Sequence, residues 1–228
     1  MDILLTTSFW AALGSIILAN VLLSGDNAVV IAMAARGLPA HQQKRAIVFG
    51  SAAAILMRIV LTLVAVKMLG LPWLKLAGGV ALLYIGANLM SEEQEQHGQG
   101  TEPIGVVAAI RTILVADLVM SLDNVLAVAA AAQGNTLLLV IGLAVSVPLI
   151  VFGSTLILKV MDRFPAIIVA GAALLGWLAG EMMLSDPALH RLFGELPPWA
   201  ERIGGIVGAV LVVIVGKLLQ RRAEKRHP

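Results

Sequence analysis

Residues 19–29 read ANVLLSGDNAV, and residues 116–126 read ADLVMSLDNVL. Alanine, serine, aspartate and asparagine coincide in the two stretches at a constant offset of 97 residues, with Asn20 falling opposite Asp117. Each stretch sets a Ser-x-Asp-Asn motif, Ser24 to Asn27 and Ser121 to Asn124, inside a long apolar run. Four identities at polar or small positions, with an Asp-Asn pair occurring twice, exceed what chance gives two apolar segments. A looser match further on, GANLMSE at 86–92 and GEMMLSD at 180–186, carries the repeat across both halves of the chain.

The halves are written for lipid. The chain has 228 residues, of which 59% are hydrophobic and 13% charged. Mean hydropathy is +0.94, and a soluble domain carries about twice that share of charge, roughly 25%. A helix needs about twenty apolar residues to cross the hydrocarbon core. On that measure the spans fall at 8–34, 44–69, 72–90, 105–133, 136–159, 164–184 and 202–219. Helices are required, because backbone in lipid must satisfy its own hydrogen bonds and no barrel-like alternation is present. The N-terminus has neither a basic leader nor a small-residue cleavage site, so the first run reads as a permanent span. Three spans per repeat is an odd number, so the second half must enter the membrane in the opposite sense, as in many secondary transporters. The expected fold is an all-α membrane protein with about seven transmembrane helices, arranged as two inverted three-helix repeats plus a C-terminal helix. The first repeat takes residues 1–90 and the second 105–184. Between them, 91–104 form a hydrophilic cytoplasmic linker, beginning SEEQEQHGQGTEP. Residues 185–228 supply an extracytoplasmic loop containing Pro187, Pro197 and Pro198, the seventh helix and a basic tail.

Orientation follows from lysine and arginine, which concentrate on cytoplasmic loops. The tail carries Lys217, Arg221, Arg222, Lys225 and Arg226, so it belongs inside. Seven spans then put the N-terminus outside, and Arg36, Lys44, Arg45, Arg111, Lys159 and Arg163 join the cytoplasmic set. Lys67, Lys75, Arg191 and Arg202 fall outside, and Arg58 is left within a span. A net charge of +2, clustered at span ends, suits membrane orientation and excludes nucleic acid as a partner. Trp10, Trp73 and Trp199 sit near span ends, where aromatic anchors belong. Gly78, Gly79, Gly204, Gly205 and Gly208 predict close helix contacts.

Inside the spans the chain keeps Asp26, Asp117, Asp123 and Glu181, although a carboxylate at bilayer depth costs roughly 2.5–3.5 kcal/mol on insertion scales. Two Asp-Asn pairs at equivalent positions therefore point to a site. On a regular helix Asn20, Ser24 and Asn27 share a stripe, as do Asp117, Ser121 and Asn124, while Asp26 and Asp123 point about 120° away. Either the two motifs meet on a shared axis, or each helix unwinds near Ser-x-Asp, which Gly25 eases in the first half. The donors are all oxygen: Asp26, Asp117 and Asp123, the amides of Asn20, Asn27 and Asn124, and the hydroxyls of Ser24 and Ser121. With no cysteine, and His41, His97, His190 and His227 all outside the spans, zinc and copper are disfavoured. Oxygen sites favour magnesium, calcium or manganese. Glu181 reads as interfacial. Arg58 asks for a buried carboxylate partner, because a lone guanidinium in lipid is costly. Met33, Met57, Met90, Met120, Met182 and Met183 read as packing residues.

The doubled motif, in repeated three-helix halves, resembles the TerC family of membrane proteins, and the short chain is similar to its YjbE-type branch. The resemblance covers the first six spans. It implies export of manganese, and family relatives are linked to alkaline pH response, tellurite resistance and metal loading of secreted enzymes. Family members often carry Glu four residues before the motif serine, where this chain has Asn20 and Asp117, leaving the first motif one charge poorer. The resemblance, not composition, selects Mn2+ among the hard cations.

The expected function is thus secondary transport of a divalent ion out of the cytoplasm, with no enzymatic activity, no prosthetic group and Mn2+ as cargo. No phosphate-binding loop is present to couple ATP. The expected partners are the lipid bilayer of a bacterial inner membrane and a divalent metal ion, with homo-oligomerisation left open. An intramembrane aspartyl protease is the rival from another class, since two intramembrane aspartates can form a dyad. The repeated Asp-Asn pairs argue against it. A non-transporting scaffold for metal loading of exported proteins is the third reading, and it would tolerate loss of Asp26 and Asp123.

Overall fold

A computed structural model describes residues 10, 13–15, 17–18, 25–68, 71–95, 105–132, 136–194 and 196–224. Among them there is no strand. The helices are α1 (Gly25–Arg36), α2 (Ala40–Met68), α3 (Leu74–Glu95), α4 (Val106–Ala132), α5 (Thr136–Arg163), α6 (Ala166–Leu184), α7 (Pro187–Phe193) and α8 (Pro198–Glu224). Residues 10, 13–15 and 17–18 are helical as well.

The breaks fall where the backbone cannot continue a helix. Gly37 and Pro39 separate α1 from α2, and the Gln43 side chain donates to the Arg36 carbonyl at 3.1 Å to close the turn. Pro165 separates α5 from α6, and Pro198 opens α8. Pro148 lies inside α5 and withholds one backbone donor, so that helix loses an internal hydrogen bond there. Nearby, Ser146 donates to the Gly142 carbonyl at 3.0 Å.

Five helices among the described residues are long and apolar enough to cross a membrane: Ala40–Thr62, Leu74–Ser91, Leu139–Arg163, Ala166–Leu184 and Trp199–Arg222. They coincide with the second, third, fifth, sixth and seventh expected spans. Helix α4, at 27 residues, reaches about 40 Å at 1.5 Å per residue, enough to cross as well. Residues 8, 9, 11, 12, 16 and 19–24 of the first expected span lie outside the described residues. Two expectations shift. Helix α3 runs past Ser91 to Glu95, into the residues read as linker. The segment read as a plain loop after residue 185 contains α7, because Asp186 supplies an N-cap and Pro187 a pre-set first turn.

The helices group by packing. Helix α6 lies between α3 and α8, and α3 also touches α8. Helix α2 lies along α4, and α1 lies against α5, α4 and α2. Contacts of α3 with α4 and of α1 with α6 join the two groups. The α6–α8 contact is backbone to backbone. A Cβ added at Gly180 would stand 1.9 Å from the Gly204 carbonyl oxygen, and one at Gly176 would stand 2.4 Å from that of Gly208. The expected role of Gly204 and Gly208 in close approach is met, and the glycines opposite them are Gly180 and Gly176. Leu82, Met90, Ile113, Leu143, Met161 and Leu175 fill the core, while Phe49, Leu56, Phe152, Ile206 and Val210 face outward. Large apolar side chains outside as well as inside suit lipid as the surrounding solvent.

Candidate functional site

Helices α1, α3, α4 and α6 and the first turn of α8 enclose a cavity of about 270 Å³. Its polar lining is Asp26 of α1, Asn124 of α4, Glu181 and Ser185 at the end of α6, and Glu201 of α8. Leu82, Met120, Leu178 and Met182 supply the apolar wall. One residue from each Ser-x-Asp-Asn motif therefore faces the same space. Asp26 is half-buried, and its Oδ1 accepts the Asn27 backbone N–H at 2.7 Å. Asn27 itself is buried. Glu181 is aimed by packing: a Cβ at Gly205 would come within 3.2 Å of its Cγ, so a glycine on α8 makes room for the glutamate stem.

The other half of the second motif is occupied differently. Arg58, 1% exposed, is the largest fully buried side chain among the described residues. Its Nη2 pairs with Asp117 Oδ1, and its Nε donates to Ser121 Oγ at 2.9 Å. Ser121 in turn donates to Asp117 Oδ2 at 3.2 Å. Each carboxylate oxygen thus has a donor, one charged and one neutral, which helps a buried ion pair to be tolerated. Thr62 ties the Arg58 carbonyl through its Oγ1 at 2.7 Å. The carboxylate partner that Arg58 requires from sequence is Asp117.

Asp123 is on the α4 backbone directly before Asn124, but its side chain lies outside the described residues, as do Asn20 and Ser24 entirely. Unwinding near Ser-x-Asp is absent in the second half: α4 stays helical from Val106 to Ala132. Leu122 lacks the backbone freedom of a glycine, and with Ser121 and Val125 it is buried, so local packing holds the helix. Among the described residues no three histidine, aspartate or glutamate side chains converge as a ligand group. What the cavity holds is carboxylates spread along its wall, with amide and hydroxyl oxygens between them.

Glu181 and Glu201 are the residues that sequence reading undervalued. Glu181, read as interfacial, lines the cavity; Glu201 was not singled out because it follows a proline-rich loop. The available signal was an acid one turn before the end of an otherwise apolar span.

At the same end of the bundle, Asp186 is fully buried. Its Oδ1 accepts the backbone N–H of Trp73 at 2.9 Å and of Ala188 at 2.7 Å. Its Oδ2 accepts that of Leu76 at 2.9 Å. One carboxylate therefore caps α3 and α7 together. Burial pushes its pKa up, but the amides of Ala188, Leu76 and Trp73 outweigh that and hold it below the usual carboxylate value. Trp73 has φ of 72°, a left-handed conformation that a tryptophan rarely takes, and the Asp186 bond is part of what fixes it.

A family model described as the integral membrane protein TerC family matches residues 5–224. The membrane protein YjbE of Bacillus subtilis (strain 168) is 44% identical over 207 residues, covering 90% of this chain and 93% of its own. The membrane protein YceF of the same organism is 24% identical, over 79% of this chain and 73% of its own. The UPF0053 inner membrane protein YoaE of Escherichia coli (strain K12) is 25% identical across the whole of this chain, which corresponds to 46% of that longer protein. No solved structure matches.

Proposed function

The chain belongs to the TerC family of integral membrane proteins, and from that premise we propose that it is a secondary transporter exporting divalent metal, Mn2+ in the first place. The observation that supports this reading is that Asp26 and Asn124, one from each Ser-x-Asp-Asn motif, line a single cavity. The proposed ligands are Asp26, Asn27, Asp123 and Asn124, with Asn20 and Ser24 contributing from the first motif. Asp117 and Ser121 complete the second motif while engaged by Arg58. Carboxylate, amide and hydroxyl oxygens suit a hard cation such as manganese. Two aspartates against a divalent ion approach neutrality, which makes occupancy at low dielectric reasonable.

The architecture we propose for it is seven spans with two inverted three-helix repeats. The packing pattern supports a pairing of the two halves. Exchanging α1 with α4, α2 with α5 and α3 with α6 maps the α2–α4 contact onto α5–α1, and the α3–α4 contact onto α6–α1. Lysine and arginine placement sets the N-terminus outside and the tail in the cytoplasm, and the inner membrane named for the YoaE relative is the proposed location. In that orientation Glu181, Ser185 and Glu201 stand at the extracytoplasmic end of the cavity. Towards the cytoplasm α1 continues as Val30, Ile31, Ala32, Met33, Ala34 and Ala35, all buried. On this reading the polar lining leads outward from Asp26 and buried apolar residues of α1 lie inward of it, which suits release to the outside.

The test is manganese sensitivity of cells lacking their own exporter, at matched protein levels in the membrane. Asp26→Asn and Asp123→Asn each keep shape and a donor oxygen while removing one unit of charge. At low dielectric that loss outweighs an ordinary hydrogen bond of about 1 kcal/mol. Each substitution should abolish protection. Full protection by the double variant overturns the reading. Uptake by purified protein in liposomes, across manganese, calcium and magnesium, ranks the cargo.

A further inference from the structure

The motif stripe on α4 is divided. Asn124 faces the cavity with Asp26, whereas Asp117 and Ser121, two turns and one turn earlier, are held by a fully buried guanidinium. The repeat shows that this is an asymmetry. The first motif has Asn20 where the second has Asp117. The one carboxylate by which the second motif stretch exceeds the first is the one that Arg58 engages. Asp117 and Ser121 share one stripe of α4 with Asn124, so the pair stands one to two turns along that helix from a residue of the cavity wall.

We propose that Arg58 is an affinity-setting residue: a tethered cation that holds Asp117 and Ser121 away from the metal and so keeps one carboxylate out of the site. The inference rests on the metal-export reading. An exporter must release its ion to the outside, and a further carboxylate free to ligate would deepen the well from which the ion has to leave. The fixed guanidinium cancels the charge of Asp117, so the carboxylate offers an arriving metal little of the attraction that a free one would exert at low dielectric. Arginine suits the task because its planar fork engages the Asp117 carboxylate and the Ser121 hydroxyl together and does not deprotonate. The pair also ties α2 to α4, so any movement that lets Asp117 turn towards the cavity must break a contact between these helices.

The test is a double-mutant cycle on manganese affinity, measured with purified full-length protein in nanodiscs through loss of the free Mn2+ paramagnetic resonance signal. Arg58→Gln removes the tethered charge and frees Asp117, so affinity should rise roughly tenfold or more, equivalent to one ordinary coupling step. Adding Asp117→Asn should reverse that gain. In liposomes, Arg58→Gln should slow efflux although it binds more tightly, an outcome that a merely structural role does not give. If Arg58→Gln alone yields no folded protein, the other side of the cycle carries the test. Asp117→Asn leaves the guanidinium without its carboxylate and should weaken binding roughly tenfold, and adding Arg58→Gln should recover it. Unchanged or weaker binding by folded Arg58→Gln overturns the inference, as does failure of recovery in the second arm, which would make Asp117 a direct ligand in this state. A parent protein that binds no manganese overturns the export reading, and this inference with it.

Discussion

Gly180→Ala adds one methyl group where the structure has no room for it. The new Cβ would stand 1.9 Å from the Gly204 carbonyl oxygen and 2.4 Å from the Gly204 carbonyl carbon. Both obstacles are backbone atoms of α8, so no rotamer change relieves them. Reaching ordinary contact, about 3.5 Å, requires α6 and α8 to separate by roughly 1.5 Å along that line. The partner contact resists, because Gly176 and Gly208 repeat the same close approach one turn along. Overpacking of this kind costs typically 1–3 kcal/mol, and a clash with backbone belongs at the upper end, about 3 kcal/mol. Against it stands the gain in helix propensity of alanine over glycine, up to about 1 kcal/mol. The net expectation is a loss of about 2 kcal/mol, which for a chain of this size lowers the melting temperature by roughly 4–8 °C. The assay is thermal unfolding of detergent-purified protein. Gly153→Ala is the matched control: the same change in a helix interior, where the added Cβ meets only the Ala28 Cβ at 3.8 Å. It should be neutral or stabilising. Because Glu181 follows Gly180 and Glu201 lies three residues before Gly204, Gly180→Ala should also impair transport, while Gly153→Ala should not. Equal melting temperatures for the two variants would refute the backbone-contact argument.

Asp186→Ala strips an acceptor from three backbone amides that cap α3 and α7, and should destabilise by about 2–3 kcal/mol in the same melt. The pH dependence has a fixed sign. The Asp186 carboxyl has a folded pKa below its usual value of 3.8, so its contribution is complete above that value and is lost as pH falls through the lower folded one; Asp186→Asn should flatten this part of the acid profile, and an unchanged profile would show that other groups set it. Arg58→Leu leaves Asp117 buried without its charge partner and should cost about 3–5 kcal/mol; a variant that melts and transports like the parent would show that the pair is dispensable.

The fold was legible where the physics is one-dimensional. Crossing a hydrocarbon slab demands a run of apolar residues, so the spans over α2, α3, α5, α6 and α8 could be read from hydropathy alone. Their ends were less legible. Helix α3 outruns its apolar stretch to Glu95 because helix propensity, not lipid, decides there, and Glu and Gln continue a helix readily. Helix α7 was missed although Asp186-Pro187 is a good start signal, because a segment of Pro187–Phe193 is too short for hydropathy to register.

The site was legible in its charges and not in its partners. That a buried Arg58 needs a carboxylate follows from the cost of an unpaired ion in lipid; that the carboxylate is Asp117 follows only from α2 lying along α4, a tertiary fact. The stripe of Asp117, Ser121 and Asn124 predicted one face for one purpose. The helix keeps that spacing, yet the purpose is split, because two different neighbours meet the stripe at different heights: α2 presents Arg58 to its first two residues, and the cavity opens at the third. A similar gap explains Glu201. Its position after a proline-rich loop makes it look solvent-bound, and only the glycine-mediated approach of α8 to α6 carries it to the cavity wall. A repeated motif can announce that two helices share a site, but on the transport reading proposed above the charge around that site is set by third parties: an arginine from α2 that cancels Asp117, and a glutamate from α8 that adds a carboxylate to the cavity wall.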